Sequence, residues 1–108
     1  MPNKKYSIGK ATTAYKSVVI APANSRVVIH WMWIANTGSA SATLDLAHVP
    51  AWQDASDSLS IIDGMTMSAG TMISQEAIIY LEPGDHIVVK SDTASAFVVT
   101  LYGSEGYK

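Results

Sequence analysis

Short apolar segments alternate with clusters of turn-forming residues along the whole chain, at intervals of about eight to twelve residues. The clusters of Gly, Pro, Asn, Asp and Ser lie at 21–25, 36–41, 49–57, 68–70, 82–85 and 91–95. The segments between them are rich in Val, Ile, Thr, Tyr and Trp, which suit a pleated, half-buried surface. They predict strands at about 10–20, 26–35, 42–48, 58–62, 71–81, 85–91 and 96–103, the first of them interrupted near Lys16.

About seven or eight strands of this kind predict an all-β fold, an antiparallel two-layer β-sandwich of jelly-roll-like type. The length of 108 residues fits one domain, residues 1–108. The two ends, MPNKK at 1–5 and GSEGYK at 103–108, are the segments expected to fray.

The segment 26–35 carries two of the three tryptophans. Alternation along a strand predicts two opposite faces: one comprises Val27, Ile29, Trp31 and Trp33, and the other comprises Arg26, Val28, His30, Met32 and Ile34. Because both sets are mostly apolar, the strand is either covered on both sides or presents one face to another molecule. Trp31, Trp33 and Met32 are therefore candidates for the core or for a protein interface. If Trp31 is fully buried, its truncation to Ala is expected to cost about 3 to 5 kcal/mol.

The third tryptophan, Trp52, lies in the polar loop PAWQDASD at 50–57. An exposed tryptophan on a loop is typical of a hot spot in protein contacts, which makes Trp52 the best single candidate for a contact residue. The same residue, with the other tryptophans and the tyrosines, is also the candidate platform for stacking against a carbohydrate.

Charged residues make up only 15% of the chain against 48% apolar residues, and the net charge is −2. A sparsely charged surface favours self-association, and the lack of a basic excess argues against nucleic acid as a partner. No apolar run reaches the roughly 18 residues of a membrane span, and the first residues lack a signal-peptide core, so we expect no membrane partner and assembly in the cytoplasm. The absence of cysteine excludes disulfides and thiolate metal sites.

The histidines His30, His48 and His86 have spacings that match no known metal-ligand pattern, and His48 is expected to be buried or at the rim of its sheet. The stretch LEPGDHIVV at 81–89 resembles part of a cupin, but the paired-histidine motif of that group is absent. Pro83 and Gly84 are instead expected to form a turn that Asp85 closes.

The acidic residues available for hydrolytic chemistry sit in no motif that assigns them a role, and they are expected to be solvated turn residues: Asp54, Asp57, Asp63, Glu76 and Glu82. The isolated Gly64 and Gly70 are likewise expected to lie in turns. The sequence predicts no catalytic residue, no metal site and no cofactor.

Two stretches carry a resemblance to a known group: VVIAPANSRVVIHWMWIANTGSASATLDL at 18–46 and MSAGTMISQEAIIYLEPGDHIVVKSDTASAFVVTLYGSE at 67–105. They hold a Pro-Ala turn before a strand ending ANT, an L-x-PGD-x-I turn, and a final hairpin of the type S-x-x-ASA-x-x-V-x-x-x-G-x-E. In these features the chain resembles small all-β virion structural proteins of tailed bacteriophages over about residues 12–105. It departs from them at HWMW, 30–33, where simpler aliphatic alternation is usual.

This resemblance implies a non-enzymatic virion structural protein, first of all a head decoration or cement protein that binds the capsid surface as a homo-oligomer. Its expected partners are other copies of itself, with a trimer favoured, and the major capsid protein or tail proteins. The alternative is a carbohydrate-binding or tail- or fibre-associated module that uses Trp52 and exposed tyrosines.

Overall fold

The computed structural model of the chain describes residues 3–8, 11–56, 59–94 and 96–107. Eight strands lie in this part of the chain: β1 (Asn3–Ile8), β2 (Lys16–Ile20), β3 (Ser25–Asn36), β4 (Ala42–Val49), β5 (Ser60–Met67), β6 (Met72–Leu81), β7 (His86–Ser91) and β8 (Phe97–Tyr107). None of the described residues belongs to a helix that is long and apolar enough to cross a membrane.

The strands form two four-stranded antiparallel sheets. One, the β3 sheet, has the order β1-β8-β3-β6, and the other, the β4 sheet, has the order β2-β7-β4-β5. The pairs β1–β8, β2–β7, β3–β6 and β4–β5 are those of one long antiparallel ribbon wrapped into two layers, which is the jelly-roll arrangement. The predicted all-β, two-layer, jelly-roll-like sandwich is confirmed.

The hydrophobic core fills the space between the two sheets. Its largest fully buried side chains are Phe97, Ile29, Met32, Ile34, Leu44, Leu46, Leu81, Ile87 and Leu101. On β8 the inward positions alternate regularly, with Phe97, Val99 and Leu101 all buried, as the sequence predicts.

The strand β3 does not alternate regularly, because a β-bulge at His30 interrupts it. Ile29 pairs with Gly103 of β8, and the next pair joins Trp31 to Tyr102, so that His30 is the extra residue on β3. Val27 and Ile29 before the bulge are buried, and after it the buried residues are Met32 and Ile34. The predicted grouping of Val27, Ile29, Trp31 and Trp33 on one face is therefore wrong, since the bulge turns both tryptophans away from the core.

Gly103 makes room for this bulge. A Cβ at this position would overlap the carbonyl oxygen of Val28 and would lie 3.1 Å from the Cα of Ile29. A glycine inside a strand often marks such a close approach between two backbones. The absence of a side chain at 103 is thus a sequence feature on which the register of β3 and β8 depends.

Both ends of the chain differ from expectation. β1 pairs with β8 from Asn3 onward, and β8 continues to Tyr107 because β1 and β3 flank it on either side. The expected fraying of 1–5 and 103–108 is therefore wrong for residues 3–5 and 103–107, and residues 1, 2 and 108 lie outside the described part. The predicted interruption near Lys16 is the point where β2 begins.

The strand predicted at 58–62 is longer than expected, because Gly64 does not end it. Gly64 has a φ of 72° and lies inside β5, where the pairing with β4 shifts between Leu44 and Leu46. Its backbone N–H donates to the carboxylate of Asp45, which stabilises this second bulge. Gly70, with a φ of 75°, lies in the turn between β5 and β6 as predicted.

The corner after β3 is organised by the buried amide of Asn36. Its Nδ2 donates to the carbonyl oxygens of Ala40 at 3.0 Å and Met67 at 2.9 Å, and its Oδ1 accepts from the N–H of Gly38 at 2.9 Å. One side chain thereby ties the NTGSASA tract to the end of β5, and the small residues of the tract let these backbones approach closely.

The turn between β6 and β7 has the predicted chemistry. Pro83 and Gly84 occupy its centre, Gly84 has a φ of 86°, and the N–H of Asp85 donates to the carbonyl oxygen of Glu82 at 2.9 Å. The Asp85 carboxylate also accepts from the N–H groups of Glu82 at 3.1 Å and Ala51 at 3.2 Å, so that it joins this turn to the loop after β4.

We expect Gly103→Ala to lower the free energy of unfolding by about 1 to 3 kcal/mol, because the new Cβ overlaps the Val28 carbonyl oxygen. The comparison variant is Gly38→Ala, whose Cβ would come no closer than 3.3 Å to another atom, Oδ1 of Asn36; this is a tight contact that a small shift relieves, so we expect a smaller loss. Chemical denaturation followed by circular dichroism measures both losses. Similar, small losses in the two variants would contradict the role given to Gly103.

Candidate interaction surface

The outer faces of the two sheets differ in how they are covered. On the β4 sheet, Ala47, Val49 and Val88 point away from the main core and are nevertheless buried. Loop residues pack over them, namely Tyr15, Ala55 and Leu59. These loop residues cover the middle of this face, while Ile20 at its β2 edge stays 59% exposed.

The outer face of the β3 sheet remains open. Eight large apolar side chains are exposed among the described residues, and five of them lie on this one face: Trp31, Trp33, Met72, Ile78 and Tyr80. We call this surface the Trp face; it includes the outward side chains of β8 and β1 beside them. Such a concentration of apolar surface marks a site of interaction.

The strand register arranges the Trp face in cross-strand rows, with β1 at one edge and β6 at the other. The central row reads Lys5, Tyr102, Trp31, Glu76, and the next row reads Ser7, Thr100, Trp33, Ser74. A row on one side joins Ser104, Val28 and Tyr80, and a row on the other joins Val98, Ala35 and Met72. Tyr102, Trp31 and Trp33 therefore lie in the middle of the face, on the inner strands β8 and β3, and Tyr80 lies on the edge strand β6.

Contacts within the face hold its aromatic rings in place. The ring of Trp33 meets that of Tyr102 edge to face, with centroids 5.8 Å apart and an interplanar angle of 73°. This geometry is favourable for aromatic pairs. Trp31 and Trp33 are 39% and 43% exposed, so each presents part of its ring to solvent while the rest packs on the sheet.

Charged groups are few on the Trp face and lie at its margins. Lys5 and Glu76 stand at opposite ends of the central row, and within the described residues neither side chain forms an ion pair or hydrogen bond. Arg26, at the end of β3, already pairs with Glu82 at 2.9 Å. His30 lies at the bulge, with its Nε2 3.2 Å from the Ser104 hydroxyl.

The four predicted interface residues are placed differently from one another. Trp31 and Trp33 lie on the Trp face, which excludes their assignment to the core. Met32 is only 1% exposed, so its place among the interface candidates is corrected: the bulge turns it into the core, where a partner cannot reach it. Trp52 is 79% exposed but lies in the loop after β4, away from the Trp face.

Met72, Ile78 and Tyr80 are not among the interface residues predicted from the sequence. Their signal is the alternation of β6, in which the even positions 72, 74, 76, 78 and 80 point outward and Ile79 and Leu81 point inward. The outward positions of β6 hold both apolar and polar residues, so the strand alone does not indicate an apolar surface. The surface becomes evident only when β6 is placed beside Trp31 and Trp33.

The three histidines lie apart, each with a different partner. The Nε2 of His48 is 3.2 Å from the carboxylate of Asp85, and the Nδ1 of His86 is 3.0 Å from the hydroxyl of Ser17. His48 is half-buried at the rim of its sheet, as one of the two predicted placements has it. Within the described ranges, no three ligating side chains come together in a group that could hold a metal ion.

A polar recess of about 300 Å³ lies against the β4 sheet, and its charged groups interact within the fold. Asp92 accepts from the backbone N–H of Thr43 at 2.9 Å, which is the main cause that holds the pKa of this carboxyl below its usual value. Asp45 accepts from the N–H of Gly64, and Lys90 lies over the ring of Tyr15, 4.5 Å from its centroid. The charged side chains that line the recess are therefore already engaged within the fold.

The acidic residues expected in turns are divided between turns and strands. Asp54 lies in the loop after β4 and Glu82 begins the β6–β7 turn, as predicted. Asp63 and Glu76 are instead strand residues, and Glu76 projects from the Trp face. Asp57 lies outside the described residues.

Comparison with known proteins shows the fold and no family. No family model matches the chain, and no curated protein matches it by sequence. A chain from Bacillus endospore appendages, which form a family of disulfide-linked pili, aligns over 99% of this chain and 87% of its own length, with a TM-score of 0.53 and 11% identity. A chain of the acid-stable capsid of Helicobacter pylori bacteriophage KHP30 aligns over 99% of this chain and 100% of its own, with a TM-score of 0.51 and 10% identity.

The bulge predicts unequal losses of stability for two neighbouring residues of β3. Met32→Ala should lower the free energy of unfolding by about 2 to 5 kcal/mol, because it leaves a cavity in the core. Trp31→Ala should cost less than this in dilute solution, although tryptophan is the larger side chain, because no enclosed cavity forms. Chemical denaturation of both variants checks the order, and a larger loss for Trp31→Ala would restore the core assignment of the tryptophans.

Proposed function

We propose that the chain is a non-enzymatic structural protein of a bacteriophage virion, a head decoration protein that binds the capsid surface as a homo-oligomer. The observation that carries this proposal is the uncovered Trp face. The chain covers the middle of the outer side of its β4 sheet with its own loops but leaves two tryptophans, a tyrosine, an isoleucine and a methionine exposed together on the β3 sheet. A surface of this kind suits a subunit that is buried by neighbours in an assembly.

Both structural neighbours support a role as the subunit of an assembly. The disulfide chemistry of the pili makes the capsid the better parallel of the two. Both come from multi-copy structures, a pilus and a phage capsid. The pili are disulfide-linked, and this chain has no cysteine with which to form such a link. The capsid chain aligns along its full length with this one, so a protein of this size and fold occurs in a phage capsid.

Trp52 provides a second contact region, separate from the Trp face. It follows Ala51, whose N–H donates to Asp85, and Gly84 of the same turn donates to the carbonyl oxygen of Ala21. Three connections, β2–β3, β4–β5 and β6–β7, therefore meet at this end of the sandwich. In the proposed arrangement the Trp face joins copies to one another and this end, with Trp52 at 79% exposure, contacts the capsid.

The same exposed ring is the observation that favours the alternative, a carbohydrate-binding module on a tail or fibre. A tryptophan on an open loop offers a flat apolar surface against which a sugar ring can stack. Multivalent display would raise the affinity of either kind of contact without any new interaction, because each further copy binds at high effective concentration.

The proposal predicts that purified protein binds in many copies to heads of the phage that carries the gene, when those heads are made with the gene deleted. Density-gradient sedimentation followed by quantitative mass spectrometry measures the copies bound to heads and to tails. Trp52→Ala should weaken head binding at least tenfold. Gln53→Ala, at the exposed neighbouring position, is the matched control.

Association with tails, or with neither particle, would contradict head decoration. Specific binding to a glycan array that Trp52→Ala abolishes, together with no binding to heads, would favour the carbohydrate-binding alternative.

A further inference from the structure

We propose that two copies pack Trp face to Trp face about a twofold axis that runs parallel to the strands of the β3 sheet, between β8 and β3. This inference rests on the proposed function in that it takes the Trp face as the surface of self-association. It adds that the partner bound to this face is a second copy of this chain, and it gives the orientation of that copy.

The charge pattern of the central row carries the inference. Lys5 lies at the β1 edge, Glu76 lies at the β6 edge, and Tyr102 and Trp31 lie between them. Since neighbouring strands are about 4.8 Å apart, the two charged positions are about 14 Å apart. The row is therefore positive at one end, aromatic in the middle and negative at the other end.

Such a row is complementary to itself in one orientation only. Rotation about an axis parallel to the strands exchanges the two edges of the sheet, so that Lys5 faces Glu76 of the partner subunit and Glu76 faces Lys5 of the partner subunit. Rotation about an axis along the row leaves each edge opposite its own copy and brings like charges together, which is unfavourable. The pattern thus selects the first axis, and both ion pairs form at once because a twofold interface is isologous.

The apolar area of the face approaches that of a standard interface. Its five large side chains are 39% (Trp31), 43% (Trp33), 60% (Met72), 53% (Ile78) and 70% (Tyr80) exposed. With about 200 Å² for the full surface of each side chain, they leave roughly 500 Å² open. Outward residues of β8 and β3, including Tyr102 and Ala35, extend this toward the about 800 Å² per partner of a standard interface. An aromatic centre with charges at its margin also matches the usual anatomy of an interface.

The inference differs from the trimer expected from the sequence resemblance. When a sheet face packs against the same face of a second copy, one partner covers the whole face. The result is a closed dimer. A trimer requires two different patches on each subunit, and among the described residues the Trp face is one continuous patch, separate from Trp52 at the end of the sandwich.

Charge reversal tests the axis. Sedimentation velocity across a concentration series measures the dimerisation constants of the wild type, Lys5→Glu, Glu76→Lys and the double variant with both changes. We expect each single reversal to weaken dimerisation at least tenfold and the double variant to return to within about threefold of the wild type, because both ion pairs form again with their signs exchanged. Lys16→Glu and Asp54→Lys, both at exposed sites off the Trp face, are the matched controls and should leave dimerisation unchanged.

The outcomes separate this inference from the proposed function. A wild type that is monomeric at every concentration, or that forms a trimer, overturns the paired arrangement, as does a double variant no better than the single ones. The head-binding experiment is read independently of this result. Monomeric protein that still decorates heads would overturn only the pairing, and a rescued dimer that ignores heads would overturn only the head decoration.

Discussion

The β-bulge at His30 is the constraint on which the surface of this molecule depends. It exchanges the inward and outward positions of β3 partway along the strand, so that Ile29 and Met32 are both buried while Trp31 lies outside. Gly103 permits the exchange because its missing side chain leaves space for the Val28 carbonyl. Since β3 is an inner strand, flanked by β8 and β6, this local irregularity sets the character of the whole outer face of its sheet.

The consequence is a sandwich with two unequal sides. The middle of the β4 sheet is covered by the connections before β2 and after β4, whereas the middle of the β3 sheet presents aromatic rings on neighbouring strands. This arrangement adds nothing to the solubility of a sparsely charged chain, and it is the feature from which we propose association. In that proposal the central row, with opposite charges at its two ends, supplies a direction as well as an area.

The fold could be predicted from the sequence because turn residues divide the chain so regularly, and the turn at Pro83 and Gly84 was identified down to the closing Asp85. The site could be predicted only in part. The sequence indicates Trp31 and Trp33 as candidates. A one-residue bulge does not alter the alternating pattern of apolar residues, so strict alternation predicts the wrong side for Met32. The sequence does not predict β1, because this strand contains lysines and because its partner strand, β8, lies nearly the full chain length away.

The most direct test of the account is the fluorescence of Trp31 and Trp33 in a Trp52→Phe variant, in which they are the remaining tryptophans. Their emission and its quenching by acrylamide are followed across a series of protein concentrations. We expect red-shifted, quenchable emission at high dilution, where the rings contact solvent. As copies associate and cover the rings, the emission should shift to the blue and its quenching should be lost. Blue-shifted emission that acrylamide cannot quench at dilutions where sedimentation shows monomers would place both rings in the core and contradict the bulge and the interface together.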